Sequence, residues 1–217
     1  MIPRGEVTPS KYQSPSECGE FQCEEGKEGY ADFVKKEDEA LKLYYQNTNV
    51  TYLFKLKEDV IGYVAIAMSS LPTKQLPEDL GRVHKYDHVP SLLLGQMARD
   101  IRFRGTGVGD HMIDFVVNKA NGLAEEIGCR LVIVDSEPDT VACYERNGFE
   151  RVSHVETDGK TKLYLDLWRP HTKCKRCGYI YQSTVKDRKD IGEGKLQITC
   201  PKCGEQSEYP TGEYYFN

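Results

Sequence analysis

Arg102-Phe103-Arg104-Gly105-Thr106-Gly107-Val108-Gly109 stands between an apolar strand pattern and a helical one. Upstream, residues 91–98 form an apolar run that reads as a strand. Downstream, Met112, Val116, Ala120, Leu123 and Ile127 recur at helical spacing. A strand, then R-x-x-G-x-G-x-G, then a helix is an anion-binding arrangement. Glycines let the backbone approach a ligand closely, and the first N–H groups of a helix have no partner within it. Those groups and the helix dipole favour negative charge. Arg102 and Arg104 add positive charge. A plain tight turn is the competing reading. The loop is not of the G-x-x-x-x-G-K-[ST] type, because no Lys-Ser/Thr pair follows. A dinucleotide fold fits poorly as well. It places its loop after the first strand of a βαβ unit, and here three strand patterns precede it.

Working outward, residues 1–29 read as irregular or short strand, interrupted by Pro3, Pro9, Pro15, Gly19, Gly26 and Gly29. Residues 30–45 read as one helix with Tyr30, Phe33, Val34, Leu41, Tyr44 and Tyr45 on one face. Residues 51–56 and 60–68 predict two strands turning at Glu58-Asp59, the second apolar enough to be a buried central strand. Residues 71–90 are a long connection of the kind that often carries function, holding Arg82, His84, Lys85, Tyr86 and His88. Either they line a substrate entrance or they are solvated loop. A short buried strand at 131–134, a short helix at 139–146 and a hairpin of 151–155 with 161–168 complete the pattern, turning at Asp158-Gly159.

The second strong signal lies near the C-terminus. Cys174-Lys175-Arg176-Cys177 and Cys200-Pro201-Lys202-Cys203 form C-x2-C-x22-C-x2-C, and Gly178 and Gly204 follow the pairs. That spacing suits a closed tetrahedral Zn²⁺ site of four thiolates. His171 is an alternative ligand that the quartet does not need. Residues 179–181 and 196–198 read as ribbon strands turning at Gly192-Glu193-Gly194. Of the other cysteines, Cys129 and Cys143 read as core, and Cys18 and Cys23 have no ligand spacing. Metal-binding thiols must stay reduced, which predicts a cytoplasmic protein. No apolar run approaches a membrane span, and the N-terminus lacks a signal-peptide core.

Charge is unevenly spread over the 217 residues. The net value is −5, but residues 169–217 hold nine Lys and Arg against six Asp and Glu, so the rest carries −8. Four thiolates on Zn²⁺ contribute about −2, which leaves the ribbon near +1. Its basic character is local, in Lys173, Lys175, Arg176, Lys186, Arg188 and Lys189. With Tyr214, Tyr215 and Phe216 they could stack on and pair with RNA, or the aromatics could pack on the protein itself.

Taken together, residues 92–100 (Leu-Leu-Leu-Gly-Gln-Met-Ala-Arg-Asp), the R-x-x-G-x-G loop, and Cys143-Tyr144-Glu145-Arg146-Asn147-Gly148-Phe149 resemble the GNAT superfamily of N-acetyltransferases. More narrowly they are similar to its toxin-like branch, related to enzymes that acetylate aminoacyl-tRNA. Residues 18–30 and 71–90 share the likeness less specifically. It covers roughly residues 10–168 and leaves out the cysteine quartet. The resemblance implies an α/β (α+β) fold with a mixed, mainly antiparallel central sheet and flanking helices. That gives an acetyltransferase domain over 1–168 and a small β zinc ribbon over 169–217.

The same resemblance implies roles. The strand ending at Met97-Ala98-Arg99 would splay from its neighbour and pair with the pantetheine arm of acetyl-CoA, the co-substrate. The N–H groups of Arg104, Gly105, Thr106, Gly107, Val108 and Gly109 would hold the pyrophosphate, with Arg102 at the first motif position. Tyr144 matches the tyrosine that protonates the departing thiolate; a core tyrosine is the alternative. The helix carrying it commonly begins with Asn and has Ala one turn before the Tyr, where this chain has Glu137 and Thr140.

The chemistry is coherent on physical grounds. An amine attacks the thioester carbonyl, and the oxyanion needs a donor such as a strand N–H near Met97 or Ala98. A phenol can give the thiolate its proton. An α-amino group, pKa near ~8, needs less base than a lysine near ~10.4. Asp135, Glu137 and Asp139 are the acids near the strand end. Three functions follow: acetylation of a charged tRNA presented through the ribbon, acetylation of a protein or small-molecule amine, or a non-catalytic zinc-ribbon binding module on an acetyltransferase scaffold. Ribosome contact through the ribbon, a protein partner for it and a homodimer are compatible with each.

Overall fold

The computed structural model describes residues 6–36, 39–77, 86–157, 159–167, 171–178, 180–182, 195–200 and 202–210. Seven strands form one sheet: β1 (Val7–Lys11), β2 (Val50–Leu56), β3 (Asp59–Pro72), β4 (His88–Arg99), β5 (Leu131–Ser136), β6 (Glu150–Thr157) and β7 (Lys160–Asp166). Their order is β1-β2-β3-β4-β5-β7-β6. Every pairing is antiparallel except β4 with β5. The expected mixed, mainly antiparallel sheet is therefore what the chain forms.

Helices cover both faces because both faces of the central strands are apolar. On one side lies α3 (Val108–Glu126), the helix that follows the glycine loop. Its Met112, Ile113, Val116, Val117 and Ala120 are buried against Ile61, Val64, Leu92, Leu94, Val132 and Leu163. On the other side the N-terminal segment, α1 (Glu28–Lys35) and α2 (Ala40–Tyr45) bury Cys18, Phe21, Phe33, Val34 and Ala40 against Leu53, Val60, Tyr63 and Ala65. The near-continuous apolar run in β3 is thus buried on both sides, as its composition predicts. Burying each such side chain contributes about 1.5–3 kcal/mol. Gly62 is needed where α3 approaches β3: a Cβ there would sit 2.7 Å from Met112 Sδ and 3.0 Å from the Ala98 carbonyl.

Several boundaries differ from the sequence reading, each for a local reason. The single helix over 30–45 is two. α1 ends where Lys36 turns extended (φ −84°, ψ 128°), because Lys35-Lys36-Glu37-Asp38-Glu39 offers no apolar side chain to bury. The long connection is shorter than 71–90, because Leu71 pairs Val89 and Pro72 pairs His88 in the β3–β4 ladder. Arg82, His84 and Lys85 lie outside the described residues. The short helix α4 runs over Val141–Arg146. Cys129 is buried, but Cys143 is half-exposed on the wall of a cleft.

The ribbon strands also pair differently. β8 (His171–Lys173) pairs with β9 (Ile180–Gln182), and β10 (Lys195–Thr199) pairs with β11 (Gln206–Pro210). Among the described residues each strand therefore pairs across its own C-x2-C turn. The turn reverses the chain within a few residues, so the flanking segments meet directly. Residues 183–194, which include the Gly192-Glu193-Gly194 turn, lie outside the described residues, as do Trp168, Arg169-Pro170 and the three terminal aromatics.

Candidate active site and metal centre

The parallel pairing of β4 and β5 runs only over Ser91–Leu94 against Leu131–Val134. Beyond it the strands part. The cause is visible on the other edge of β4: the β3–β4 register shifts between Ala65 and Ile66, so Gly95 is an extra, bulged residue. A bulge bends its strand and ends pairing locally. It swings Gly95–Arg99 away from β5 and opens a cleft of about 990 Å³. The cleft is walled by this diverging part of β4, the end of β5, the glycine loop, α4 and residues 23–30.

Main-chain groups line one side of the gap. The Asp100 N–H donates to the Ile61 carbonyl at 2.9 Å. By strand alternation the Ala98 groups then also face β3, while those of Met97 and Arg99 face the cleft. At its end the cleft meets the glycine loop. Gly105 and Gly107 have φ of 76° and 90°, a conformation that β-carbon-bearing residues resist. Gly107 caps α3 in this left-handed state. The loop is braced from within: Arg104 N–H donates to Ile101 O (3.2 Å), and Thr106 donates through its N–H and hydroxyl to Phe103 O. The N–H groups of Gly105 and Gly107, and those of Val108, Gly109 and Asp110 in the first turn of the helix, are not drawn into this bracing and are the candidate anion-seeking donors.

The two loop arginines have different surroundings. Arg104 lines the cleft and Arg102 does not. The Arg102 guanidinium grips the fully buried Asp100 (2.9 and 3.1 Å) and reaches Glu20 and Asp59. Asp100 also accepts the N–H groups of Arg102 (2.9 Å) and Gln22 (3.1 Å). Burial alone would raise its pKa; the Arg102 guanidinium and these N–H groups outweigh that and hold it below the ordinary value. Sequence reasoning missed Asp100, whose only signal is its position just before the loop.

Tyr144, on α4, is 5% exposed and lies on the cleft wall. Its ring meets Phe149 edge-on, with centroids 5.5 Å apart. Burial, with smaller effects from Cys143 and Tyr30, pushes its phenol well above 10. It is therefore neutral and proton-bearing at pH 7. Each of the three acids near the end of β5 has a lysine partner: Asp135 with Lys162 (2.6 Å), Glu137 with Lys160 (3.1 Å) and Asp139 with Lys27 (2.5 Å). The Asp135–Lys162 pair follows directly from their facing positions in the β5–β7 ladder.

A second site stands in the ribbon. The thiol sulfurs of Cys174, Cys177, Cys200 and Cys203 all lie within 4.8 Å of one another. Cys174 to Cys203 is 3.6 Å, and Cys177 to Cys200 is 3.7 Å. A regular tetrahedron of thiolates at ~2.3 Å from Zn²⁺ has edges of about 3.8 Å. The quartet therefore fits that ion, and its four donors leave no position for a catalytic water. The Cys177 N–H, 3.5 Å from the Cys174 sulfur, helps pull that thiol down to about 7. Gly178 and Gly204 follow with φ of 69° and 72°, and their N–H groups close each turn on Cys174 O and Cys200 O at 2.9 Å. The side chain of His171 is not among the described ones.

No protein-family profile matches the chain. A probable toxin TacT of Sinorhizobium fredii is 31% identical over 100 residues, covering 42% of this chain and 55% of the relative. A tRNA-acetylating toxin of Mycobacterium tuberculosis is 26% identical over 121 residues, 55% of this chain and 70% of the relative. The chain thus spans little more than half the length of the first of these relatives. Among solved structures, AtaT complexed with acetyl-methionyl-tRNAfMet superposes with a TM-score of 0.64 at 17% identity, covering 74% of this chain and 94% of that one. That likeness shows a shared fold.

Proposed function

We propose that the protein is an acetyl-CoA-dependent N-acetyltransferase whose acceptor is the α-amino group of an aminoacyl-tRNA. One observation carries the reading. The gap between β4 and β5 opens onto the free N–H groups of α3 at one end, with a neutral, buried phenol in its wall. A thioester with a pantetheine arm and a pyrophosphate matches that sequence of surfaces.

In this reading the Met97 and Arg99 main-chain groups pair with the arm, and the Met97 N–H faces the developing oxyanion. The N–H groups of Val108, Gly109 and Asp110, with Gly105, Gly107 and the Arg104 side chain, hold the pyrophosphate. Arg102 acts from behind the loop by fixing Asp100. Tyr144 gives its proton to the leaving thiolate, and its raised pKa keeps that proton available throughout the neutral range. The acceptor class follows from the acids. Each already neutralises a lysine, so the site suits an amine that is partly neutral at pH 7, as an α-amino group with pKa near ~8 is and a lysine is not. The tRNA acceptor is further supported by the M. tuberculosis relative, a tRNA-acetylating toxin, and by the acetyl-methionyl-tRNA of the AtaT complex.

The domain boundary falls near residues 168/169. The ribbon binds one structural Zn²⁺, stabilises the C-terminal unit and helps choose the RNA substrate, which suits a cytoplasmic enzyme. The test is labelled acetyl-CoA with charged tRNA, uncharged tRNA, peptides and polyamines. Label on charged tRNA alone supports the reading. Label on a peptide or polyamine but never on charged tRNA overturns the acceptor. Absence of acetyl-CoA binding in the micromolar range by calorimetry overturns the enzyme and leaves a binding module.

A further inference from the structure

Acetyl transfer to an amine leaves one proton unaccounted for. When nitrogen attacks the thioester it becomes cationic and must lose a proton, while Tyr144 serves the sulfur. Two of the acids at the cleft are poor receivers. Asp135 is held by Lys162, and Asp139 is exposed and held by Lys27, which draws its pKa below the ordinary value. Glu137 is also paired with a lysine, Lys160 at 3.1 Å, but it alone of the three has a phenol as well: the Tyr30 hydroxyl donates to the same Oε1 at 3.4 Å. Tyr30 and Glu137 both line the cleft. Tyr30 comes from the first turn of α1, so no sequence motif connects it with Tyr144.

Tyr30 is well anchored. Its carbonyl accepts the hydroxyl of the buried Tyr63 at 2.7 Å, and that hydroxyl also reaches Gln96 of β4 at 3.0 Å. Its phenol is near enough to Tyr144 to contribute to raising that group's pKa. A phenol that donates to a carboxylate keeps its oxygen lone pairs for an N–H donor.

We propose that Tyr30 is a catalytic residue that takes the acceptor nitrogen's proton, and that Glu137 is the positioning residue that receives Tyr30's own. The proposal rests on the acetyl-transfer reading above. The step balances as follows. The neutral amine forms the C–N bond and becomes cationic. It passes one proton to the Tyr30 oxygen as the Tyr30 proton moves to the Glu137 carboxylate. The C–S bond breaks, the sulfur takes the Tyr144 proton, and a proton from solvent restores Tyr144 while Glu137 releases one to solvent. The products are one amide and one thiol. A carboxylate suffices here because attack makes the nitrogen far more acidic than the free ammonium.

The test is the pH dependence of turnover by the full-length protein, read as thiol release with acetyl-CoA and whichever amine the wild type accepts. Tyr30→Phe removes only the hydroxyl, and Glu137→Gln keeps the shape. The groups facing Tyr30 are Glu137, Lys160, Lys27 and Tyr144, with Asp139 beyond Lys27. Both lysines and both phenols lie above their ordinary values, and Asp139 lies below its own, so none titrates between pH 7 and 9. In that window the variants must give the proton to solvent base, which becomes more abundant as pH rises. The expected result is a kcat for each variant ~10–100-fold below wild type at pH 7, narrowing by at least ~3-fold at pH 9, with KM for acetyl-CoA unchanged. A deficit constant across pH, or no deficit in Tyr30→Phe, overturns the relay while leaving the acetyltransferase intact. No thiol release by the wild type with any amine overturns both.

Discussion

Asp100→Asn isolates the device that holds the glycine loop in place. The carboxylate is fully buried and accepts four N–H groups: Arg102 N and Nε on one oxygen, Gln22 N and an Arg102 terminal nitrogen on the other. An asparagine keeps one oxygen, so the better amide orientation preserves the first pair and sets its NH₂ against the second. The Arg102 head loses little, because it is 41% exposed and already near Glu20 (3.5 Å) and Asp59 (3.7 Å). The Gln22 N–H is left facing another donor; because Gln22 is exposed and this contact only part-buried, the cost falls at the low end of the about 1–3 kcal/mol of an unsatisfied group. Adding a lost charge-assisted contact, the expected destabilisation is about 2–4 kcal/mol. Urea unfolding at pH 7 measures it, with an unchanged m-value.

The pH dependence gives a second arm. The folded-state pKa of Asp100 is lowered, so its stabilisation is present above the unfolded value near ~3.9 and is lost as pH falls through the folded value. The gap between wild type and variant should therefore hold from pH 7 to about 5 and close below about 4. Because Gln22 and Ile101 also join through Ile101 N–H to Gln22 O at 2.8 Å, the variant should loosen the loop and weaken acetyl-CoA binding. A loss under about 0.5 kcal/mol, or a gap that widens toward low pH, would refute this account of the loop.

Three further outcomes are expected. Tyr144→Phe keeps the edge-on contact with Phe149 and removes the proton donor, so kcat should fall ~10²–10⁴-fold with KM for acetyl-CoA unchanged; steady-state kinetics with a thiol reagent decide it. Gly107→Val forces a β-branched residue to a φ of 90° at the cap of α3, which should cost about 1–3 kcal/mol and weaken acetyl-CoA binding at least ~10-fold by calorimetry. Cys200→Ser, or a strong chelator, should reduce zinc from about one ion per chain to none by elemental analysis. Acetylation of a small amine should stay within about twofold, because all four metal positions are filled by protein sulfur.

How far the sequence could be read depends on the range of the forces involved. The β3 strand, the helix after the glycine loop and the cysteine quartet were legible, because apolar period, glycine conformation and ligand spacing are properties of short segments. The break between α1 and α2 was hidden by tyrosines at helical spacing, although the charged run between them had nothing to bury. The pairing of β8 with β9 and of β10 with β11 was missed because strand partners are chosen across turns that composition alone does not rank. Arg102 illustrates the same limit. Its place in the motif suggested a ligand contact, but three carboxylates, two of them from distant segments, draw its guanidinium away from the cleft.

By itself the sequence determined that a glycine-rich loop joins a buried strand to an amphipathic helix, and that two C-x2-C pairs with metal-ligand spacing lie behind it. Those features are local, set by backbone freedom and by the reach of neighbouring side chains. Only the tertiary structure decided the cleft. Its opening depends on one bulged residue, Gly95, that parts β4 from β5. Its wall brings together Tyr30, Glu137 and Tyr144, which do not adjoin in the chain but line one cavity. Such a site is made by sheet order and by burial on both sheet faces, and neither can be read from a window of residues.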